Sequence, residues 1–127
     1  MRGEEYLTKP QQYNQVYSNG SSWVSGLVVM KALANDLGLS RCGFSVSKQV
    51  GKAVTRNRVK RRFREIVRVL PLKAGWDIVF VARPAAANAA FISLRGAIEG
   101  LLSRAGLLEA EGEDRLPLEV KAGEIES

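Results

Sequence analysis

The sequence of 127 residues contains no histidine and a single cysteine, Cys42. The lack of histidine excludes imidazole-based acid–base and nucleophilic catalysis by this chain. A lone thiol excludes a disulfide within the chain, so we expect a reduced, cytoplasmic setting. We interpret Cys42 as a small core residue, because Phe44 and Val46 share its face of a predicted strand and no histidine is present to activate it.

Long apolar runs and clustered acids are also lacking. No run approaches the roughly 18–20 residues of a membrane span, and the first residues lack the apolar segment of a signal peptide. Residues 1–108 contain only six acids, which are scattered. We therefore predict no catalytic residue, no metal ligand set and no membrane partner.

Acids are scarce where bases are abundant. Residues 1–108 carry 17 bases and 6 acids, a net charge of +11, although the whole chain carries +6. Residues 109–127 hold seven of the 13 acids. We predict one domain over 1–108 and a disordered acidic tail over 109–127, which either solubilises the chain or shields its basic surface. Net charge alone, before any motif is considered, would suit either nucleic acid or an anionic membrane, and the motifs below favour nucleic acid.

The segment Lys48–Arg68 contains nine of the 19 Lys and Arg residues and one acid, Glu65. Its apolar residues recur at the spacing of an amphipathic helix, which Pro71 ends. The apolar stripe consists of Val59, Phe63, Ile66, Val67 and Leu70. The opposite side carries Asn57, Arg61, Arg64 and Arg68, with Arg58 and Lys60 on its flanks.

Arginine outnumbers lysine six to one from Arg56 to Arg68. Guanidinium groups favour bidentate contacts with phosphate over a diffuse positive field. Like charges at i, i+4 cost roughly a few tenths of a kcal/mol per pair, and acids to offset that cost are absent. A solvated face is the alternative interpretation, but this pattern favours a polyanionic partner. The Asn57 amide can also bond a base edge or a 2′-hydroxyl.

The remaining elements are predicted from periodicity and turn residues. We predict a first helix over 8–18 with Thr8 as N-cap, strands at 22–24, 27–33, 41–47 and 76–81, and a last helix ending at Gly106. A strand, the basic helix and another strand suggest a parallel pair. Tyr13 and Tyr17 share one face of the first helix. That face is interpreted either as core or as a stacking surface for unpaired bases.

Residues 44–65 resemble the signature of the protein component of bacterial ribonuclease P. They read Phe-Ser-Val-Ser-Lys-Gln-Val-Gly-Lys-Ala-Val-Thr-Arg-Asn-Arg-Val-Lys-Arg-Arg-Phe-Arg-Glu. Looser similarity runs from about Thr8 to Leu108 and includes Ala82-Arg83-Pro84. The resemblance implies a two-layer α+β domain ordered α-β-β-β-α-β-α, similar to a domain of a ribosomal protein. It further implies a mixed four-stranded sheet and a left-handed crossover through the basic helix, against the usual preference.

The resemblance also implies two partners, a catalytic RNA subunit and precursor tRNA, and it implies no protein partner beside them. It implies that the RNA subunit, with Mg²⁺, performs the hydrolysis, and that the protein holds no cofactor. The residues that match RNA-subunit contacts are Lys48, Lys52, Arg56, Asn57, Arg58, Lys60, Arg61, Arg64 and Arg68. The residues that match a cleft for the 5′ leader of precursor tRNA are Tyr13, Tyr17, Val28 and Lys31.

Three departures from the family pattern stand out. Lys31 replaces an aromatic residue of the cleft, Gln49 stands where a second lysine is common, and the first residues are less basic than usual. Two other functions remain open on the residues alone. One is a non-catalytic RNA-binding module, such as a ribosomal or assembly protein. The other is a protein-only nuclease, which the absence of histidine and of an acid cluster disfavours.

Overall fold

The computed structural model describes residues 6–109. Their order is α-β-β-β-α-β-α, as predicted. The elements are α1 (Pro10–Asn19), β1 (Ser21–Val24), β2 (Val28–Ala34), β3 (Arg41–Ser45), α2 (Ala53–Arg68), β4 (Trp76–Ala82) and α3 (Phe91–Ala105). Two 3₁₀ turns, Lys48–Val50 and Pro84–Asn88, precede α2 and α3. The predictions for 1–5 and for the acidic tail over 110–127 lie outside the described residues.

The four strands form one mixed sheet in the order β1-β2-β4-β3. Strand β2 is antiparallel to both β1 and β4, whereas β3 is parallel to β4. Helix α2 is therefore the crossover of the parallel pair, as the strand–helix–strand pattern predicted. The hand of that crossover stays a prediction.

One face of the sheet, the closed face, is covered by α2 and α3. Met30, Ile78 and Phe80 from the strands pack in one buried cluster with residues of both helices. The predicted stripe of α2 is confirmed: its buried residues are Val59, Phe63, Ile66 and Val67, and Leu70 packs against the cluster just after the helix. Burial of this stripe fixes which side of α2 faces solvent.

Helix α1 lies on the other face, the open face, and covers only part of it. Leu7, Val16 and Val79 form a small buried cluster there. Gly20 ends α1 against β2, since a Cβ at this position would lie 2.6 Å from the Val16 carbonyl oxygen and 2.8 Å from that of Ala32. A side chain would push the helix end off the sheet, so glycine allows this close approach.

The beginnings of α1 and α2 differ from ordinary capping. Thr8 was predicted as the N-cap of α1, but this prediction is wrong because Lys9 occupies the position. Gln12 Oε1 instead accepts hydrogen bonds from the N–H groups of Thr8 and Lys9, at 2.8 and 2.9 Å. Helix α2 begins after Lys52, which makes no side-chain capping bond. The first N–H groups of α2 therefore lack a side-chain cap.

An ion pair between the partly buried Arg41 and the buried Asp77 ties β3 to β4. The Asp77 carboxylate accepts two hydrogen bonds from Arg41, at 2.8 and 2.7 Å, and one from the Asn35 amide at 2.9 Å. Sequence reasoning found no partner for Asp77, because the pairing depends on strand register. This acid is therefore structural. Among residues 6–109, no helix is long and apolar enough to cross a membrane.

Candidate nucleic-acid interface

The solvent side of α2 presents a continuous polar row, here called the exposed row. It consists of Asn57, Arg61, Arg64 and Arg68, all exposed. At 100° per residue these four positions fall within about 60° of the helix circumference. Three guanidinium groups and one amide thus point in similar directions, and Glu65 is the single exposed acid on α2. The predicted polar side is confirmed in placement, while RNA contact by these residues stays a prediction.

Two arginines on one edge of α2 bond the protein itself and are called the anchored pair. Arg58 donates to the Ala87 carbonyl at 3.0 Å, and Arg62 donates to the Ala89 carbonyl at 3.1 Å. Arg58 Nε is also buried, and among the described residues it has no hydrogen-bond partner. The pair holds the segment 84–90 against α2. Arg58, predicted to contact RNA, therefore already makes a structural hydrogen bond, and Arg62 was not predicted to have any role.

The cations before α2 collect at its uncapped beginning. Lys48 lies in the 3₁₀ turn, Lys52 precedes the helix, and both are exposed. Arg56 is half-buried and donates through Nε to the Gly51 carbonyl at 3.1 Å. Because the first turn of a helix carries free N–H groups and positive dipole charge, these cations extend the basic surface beyond the exposed row.

A pocket of about 350 Å³ separates α2 from α1. Its rim includes Lys60 and Arg64 on the edge of α2 opposite the anchored pair. The remaining lining residues are Tyr6, Leu7, Thr8, Tyr13, Cys42 and Phe44. The pocket therefore connects the aromatic face of α1 with the basic side of α2. The sequence had suggested two separate surfaces. Aromatic rings beside cations suit a base and its phosphate.

Tyr13 is fixed in that pocket by the backbone of β3. Its hydroxyl accepts a hydrogen bond from the Phe44 N–H at 3.3 Å. A Cβ on Gly43 would lie 2.7 Å from the Tyr13 ring, so the ring needs glycine beneath it. Burial raises the pKa of Tyr13, and the Phe44 N–H and the nearby Arg64 charge oppose that rise.

Tyr17 lies one turn further along α1 in a different setting. Its ring centre is 6.5 Å from that of Tyr13, and 40% of the residue is exposed. The two interpretations of the aromatic face, core packing and a stacking surface, therefore each apply to one residue. Tyr13 is packed against the sheet, whereas Tyr17 offers ring surface to a ligand.

Val28 does not lie with the other cleft residues, so its predicted placement is wrong. It is fully buried in the cluster under α2 and α3. Lys31 is on the open face, where its Nζ donates to Ser22 Oγ at 2.8 Å. Alternate strand residues face opposite sides, and positions 28 and 31 differ by an odd number.

The register identifies the residues that sequence reasoning missed on the open face. Val29 lies opposite both Val24 and Val81, and Ser45 is paired with Val81. Val24 is 50% exposed, and the other three are partly exposed. Counting in steps of two from Lys31 would have found Val29. An apolar strip beside Lys31 and α1 therefore replaces Val28 in the candidate cleft.

The described acids do not assemble a metal site. Among residues 6–109, no group of three or more His, Cys, Asp or Glu side chains could hold a metal ion. Asp77 is paired with Arg41, and the exposed Glu99 is paired with Arg95 at 3.1 Å. The cations of α2 can neutralise phosphates. The aromatic and apolar side chains near α1 can contact bases.

Fold and site together define a class: an α+β protein whose arginine-rich crossover helix suits a polyanion. The chain belongs to the ribonuclease P protein family, because the family model described as Ribonuclease P matches residues 1–106. It is 48% identical over 107 residues to the ribonuclease P protein component of Roseiflexus sp. (strain RS-1), covering 82% of this chain and 88% of that one. The protein component of Dehalococcoides mccartyi (strain CBDB1) is 45% identical over 113 residues, covering 89% and 94%.

A solved structure supports the same family. The ribonuclease P protein of Staphylococcus aureus matches with a TM-score of 0.75 and 27% sequence identity. The match covers 83% of this chain and 98% of that one. The α+β architecture is therefore shared with a family member, as the resemblance implied.

Proposed function

We propose that this chain is the protein subunit of a ribonuclease P and assists removal of the 5′ leader from precursor tRNA. Family membership supports a role in tRNA 5′ processing. The observation that carries the proposal is the position of two surfaces: the exposed row of α2 and the aromatic side of α1 meet at the pocket rimmed by Lys60 and Arg64. One protein surface can therefore hold a catalytic RNA beside the leader of its substrate.

The exposed row would bind the RNA subunit through its phosphates. Guanidinium groups bind phosphate oxygens in pairs, and Arg61, Arg64 and Arg68 are exposed for this purpose. Lys48, Lys52 and Arg56 extend the contact at the beginning of the helix. Asn57 supplies a donor and an acceptor together, which a cation cannot do.

The leader would lie along α1 and the uncovered strip of the open face. Single-stranded RNA exposes its bases, which stack on aromatic rings. Tyr17 offers such a ring, and Val24 and Val29 offer apolar surface on the open face of the sheet. Lys31 would neutralise a leader phosphate where the family commonly has an aromatic residue. This cleft is less basic than the α2 surface, so it suits a short unpaired strand.

The RNA subunit, with Mg²⁺, would perform the hydrolysis. This chain supplies no histidine, and two of its described acids, Asp77 and Glu99, are already paired with arginines. Its part would be to lower repulsion between RNA segments, which strengthens the folded complex and the binding of its metal ions. We place this activity in the cytoplasm.

The experiment is cleavage of a precursor tRNA by a bacterial ribonuclease P RNA at low Mg²⁺, with and without this protein. We expect strong stimulation by the chain and weaker stimulation by the double variant Arg61→Gln/Arg64→Gln. Arg95→Gln is the matched control, because Arg95 is an exposed arginine on α3 and is not part of the exposed row. Absence of stimulation would favour a non-catalytic RNA-binding module, and cleavage by the protein alone would indicate a protein nuclease.

A further inference from the structure

The acidic segment 109–126 begins beside the end of the basic helix. Leu108 pairs with Leu72 in an isolated antiparallel bridge, and the Glu109 N–H donates to the Pro71 carbonyl at 2.7 Å. Pro71 lies three positions after Arg68, the last residue of α2. The fold therefore delivers the start of the acidic segment to the end of the exposed row.

A pocket of about 390 Å³ lies at this exit. Arg68 lines it together with Leu70, Pro71 and Leu72, and Ser40 lines it from the loop before β3. The pocket offers a cation and apolar side chains. This pocket therefore lies beside Glu109, the last described residue, because Pro71 both lines the pocket and accepts the hydrogen bond from Glu109.

Charge and length fit the segment to α2. Residues 109–126 contain seven acids against Arg115 and Lys121. The row from Asn57 to Arg68 is about 17 Å long at the helical rise, and eighteen residues can extend to roughly 60 Å. The segment can therefore pass along the whole row with chain to spare.

We propose that the acidic segment 109–126 docks on the exposed row of α2 and that RNA must displace it. The tether gives the segment an effective concentration in the millimolar range, so even a weak ionic contact is substantially occupied. Contact between unlike charges also releases α2 from the repulsion among its own arginines. A second chain copy would bring another basic surface, which makes it the poorer occupant.

The consequence of docking rests on the proposed function, whereas docking itself does not. A short or loosely bound RNA makes few phosphate contacts and competes poorly with the segment. A structured RNA that engages α2 and the cations before it displaces the segment through many contacts. The acidic segment would then act as a filter against non-specific RNA.

The first test uses the full chain without RNA. Six acids are replaced by amides, in the variant E111Q, E113Q, D114N, E119Q, E124Q and E126Q. Comparing backbone amide NMR spectra with those of the unchanged chain at low salt, we expect shifts concentrated on the exposed row. These differences disappear at about 0.5 M salt, where screening acts over a few ångströms. Arg83 and Arg104, which are exposed outside α2, are the control positions.

The second test measures binding of a short oligouridylate. We expect the amide variant to bind about three- to tenfold more tightly, since a millimolar tether competes only modestly. In the Arg61→Gln/Arg64→Gln background this gain should largely vanish, because two of the three arginines of the exposed row are gone. Equal shifts at Arg83 and Arg104, or an equal gain in both backgrounds, would show a diffuse charge effect and overturn the proposal. Failure of the cleavage assay would leave this result unchanged.

Discussion

Arg58 and Arg61 lie three positions apart on α2, but Arg58 belongs to the anchored pair and Arg61 to the exposed row. Arg58 donates to the Ala87 carbonyl and is partly buried, whereas Arg61 is exposed on the exposed row. The same contrast recurs on α1, where Tyr13 is packed over Gly43 and Tyr17 is 40% exposed. On each helix, one residue is bonded to the rest of the protein and a neighbouring residue of the same type is exposed to solvent. The number of arginines and tyrosines in the sequence is therefore larger than the number available to contact RNA.

The contrast between the tyrosines gives the largest expected effect. Tyr13→Ala should lower the free energy of unfolding by about 3 kcal/mol, because a packed ring and its bond to Phe44 are lost. Tyr17→Ala should cost about 0.5 kcal/mol, as expected for a residue with exposed surface. Urea unfolding of both variants measures the difference. Similar losses for the two would show that both rings belong to the core.

Replacing arginine by lysine should distinguish the anchored pair from the exposed row through a smaller change in stability. Arg58→Lys keeps the charge but loses the planar donor to Ala87, so stability should fall by about 1.5 kcal/mol. Arg61→Lys is the matched change on the exposed row and should stay within about 0.5 kcal/mol. Thermal or urea unfolding provides the measurement. An unchanged stability for Arg58→Lys would remove the distinction between the anchored pair and the exposed row.

The smallest expected effect is the alkaline dependence of stability that Tyr13 causes. Burial raises its pKa above the ordinary value of 10.0, so folding favours the neutral hydroxyl. That contribution is complete below the unfolded pKa and is lost as pH rises through the higher folded pKa. Tyr13→Phe should therefore show a shallower fall in unfolding free energy above pH 10 than Tyr17→Phe, which retains Tyr13. Parallel pH profiles for the two variants would contradict this assignment.

Periodicity predicted features well where they depend on the residue spacing within one helix or strand. The stripe of α2 required only helical spacing, and its buried residues Val59, Phe63, Ile66 and Val67 are those predicted. The order of elements followed from turn residues and apolar runs. The error at Val28 came from the family resemblance, which placed Val28 with Lys31, whereas strand alternation puts the two residues on opposite faces of the sheet.

Other features depend on contacts between distant segments and could not be read from local patterns. The bond from Arg58 to Ala87 depends on how the 3₁₀ turn before α3 lies against α2. The pairing of Arg41 with Asp77 requires the β3–β4 register. The meeting of α1 aromatics with Lys60 and Arg64 requires both helices to be placed on the sheet. These contacts determine which predicted site residues remain available to RNA.

The central claim is that the exposed row of α2 binds phosphates of the RNA subunit. The most direct measurement is the salt dependence of RNA-subunit binding for the chain, Arg61→Ala, Arg64→Ala and the control Arg95→Ala. We predict that each row variant lowers the slope of log affinity against log salt by about 0.7–0.9, as expected for one lost phosphate contact. Arg95→Ala should leave the slope unchanged. Unchanged slopes for both row variants would contradict the claim.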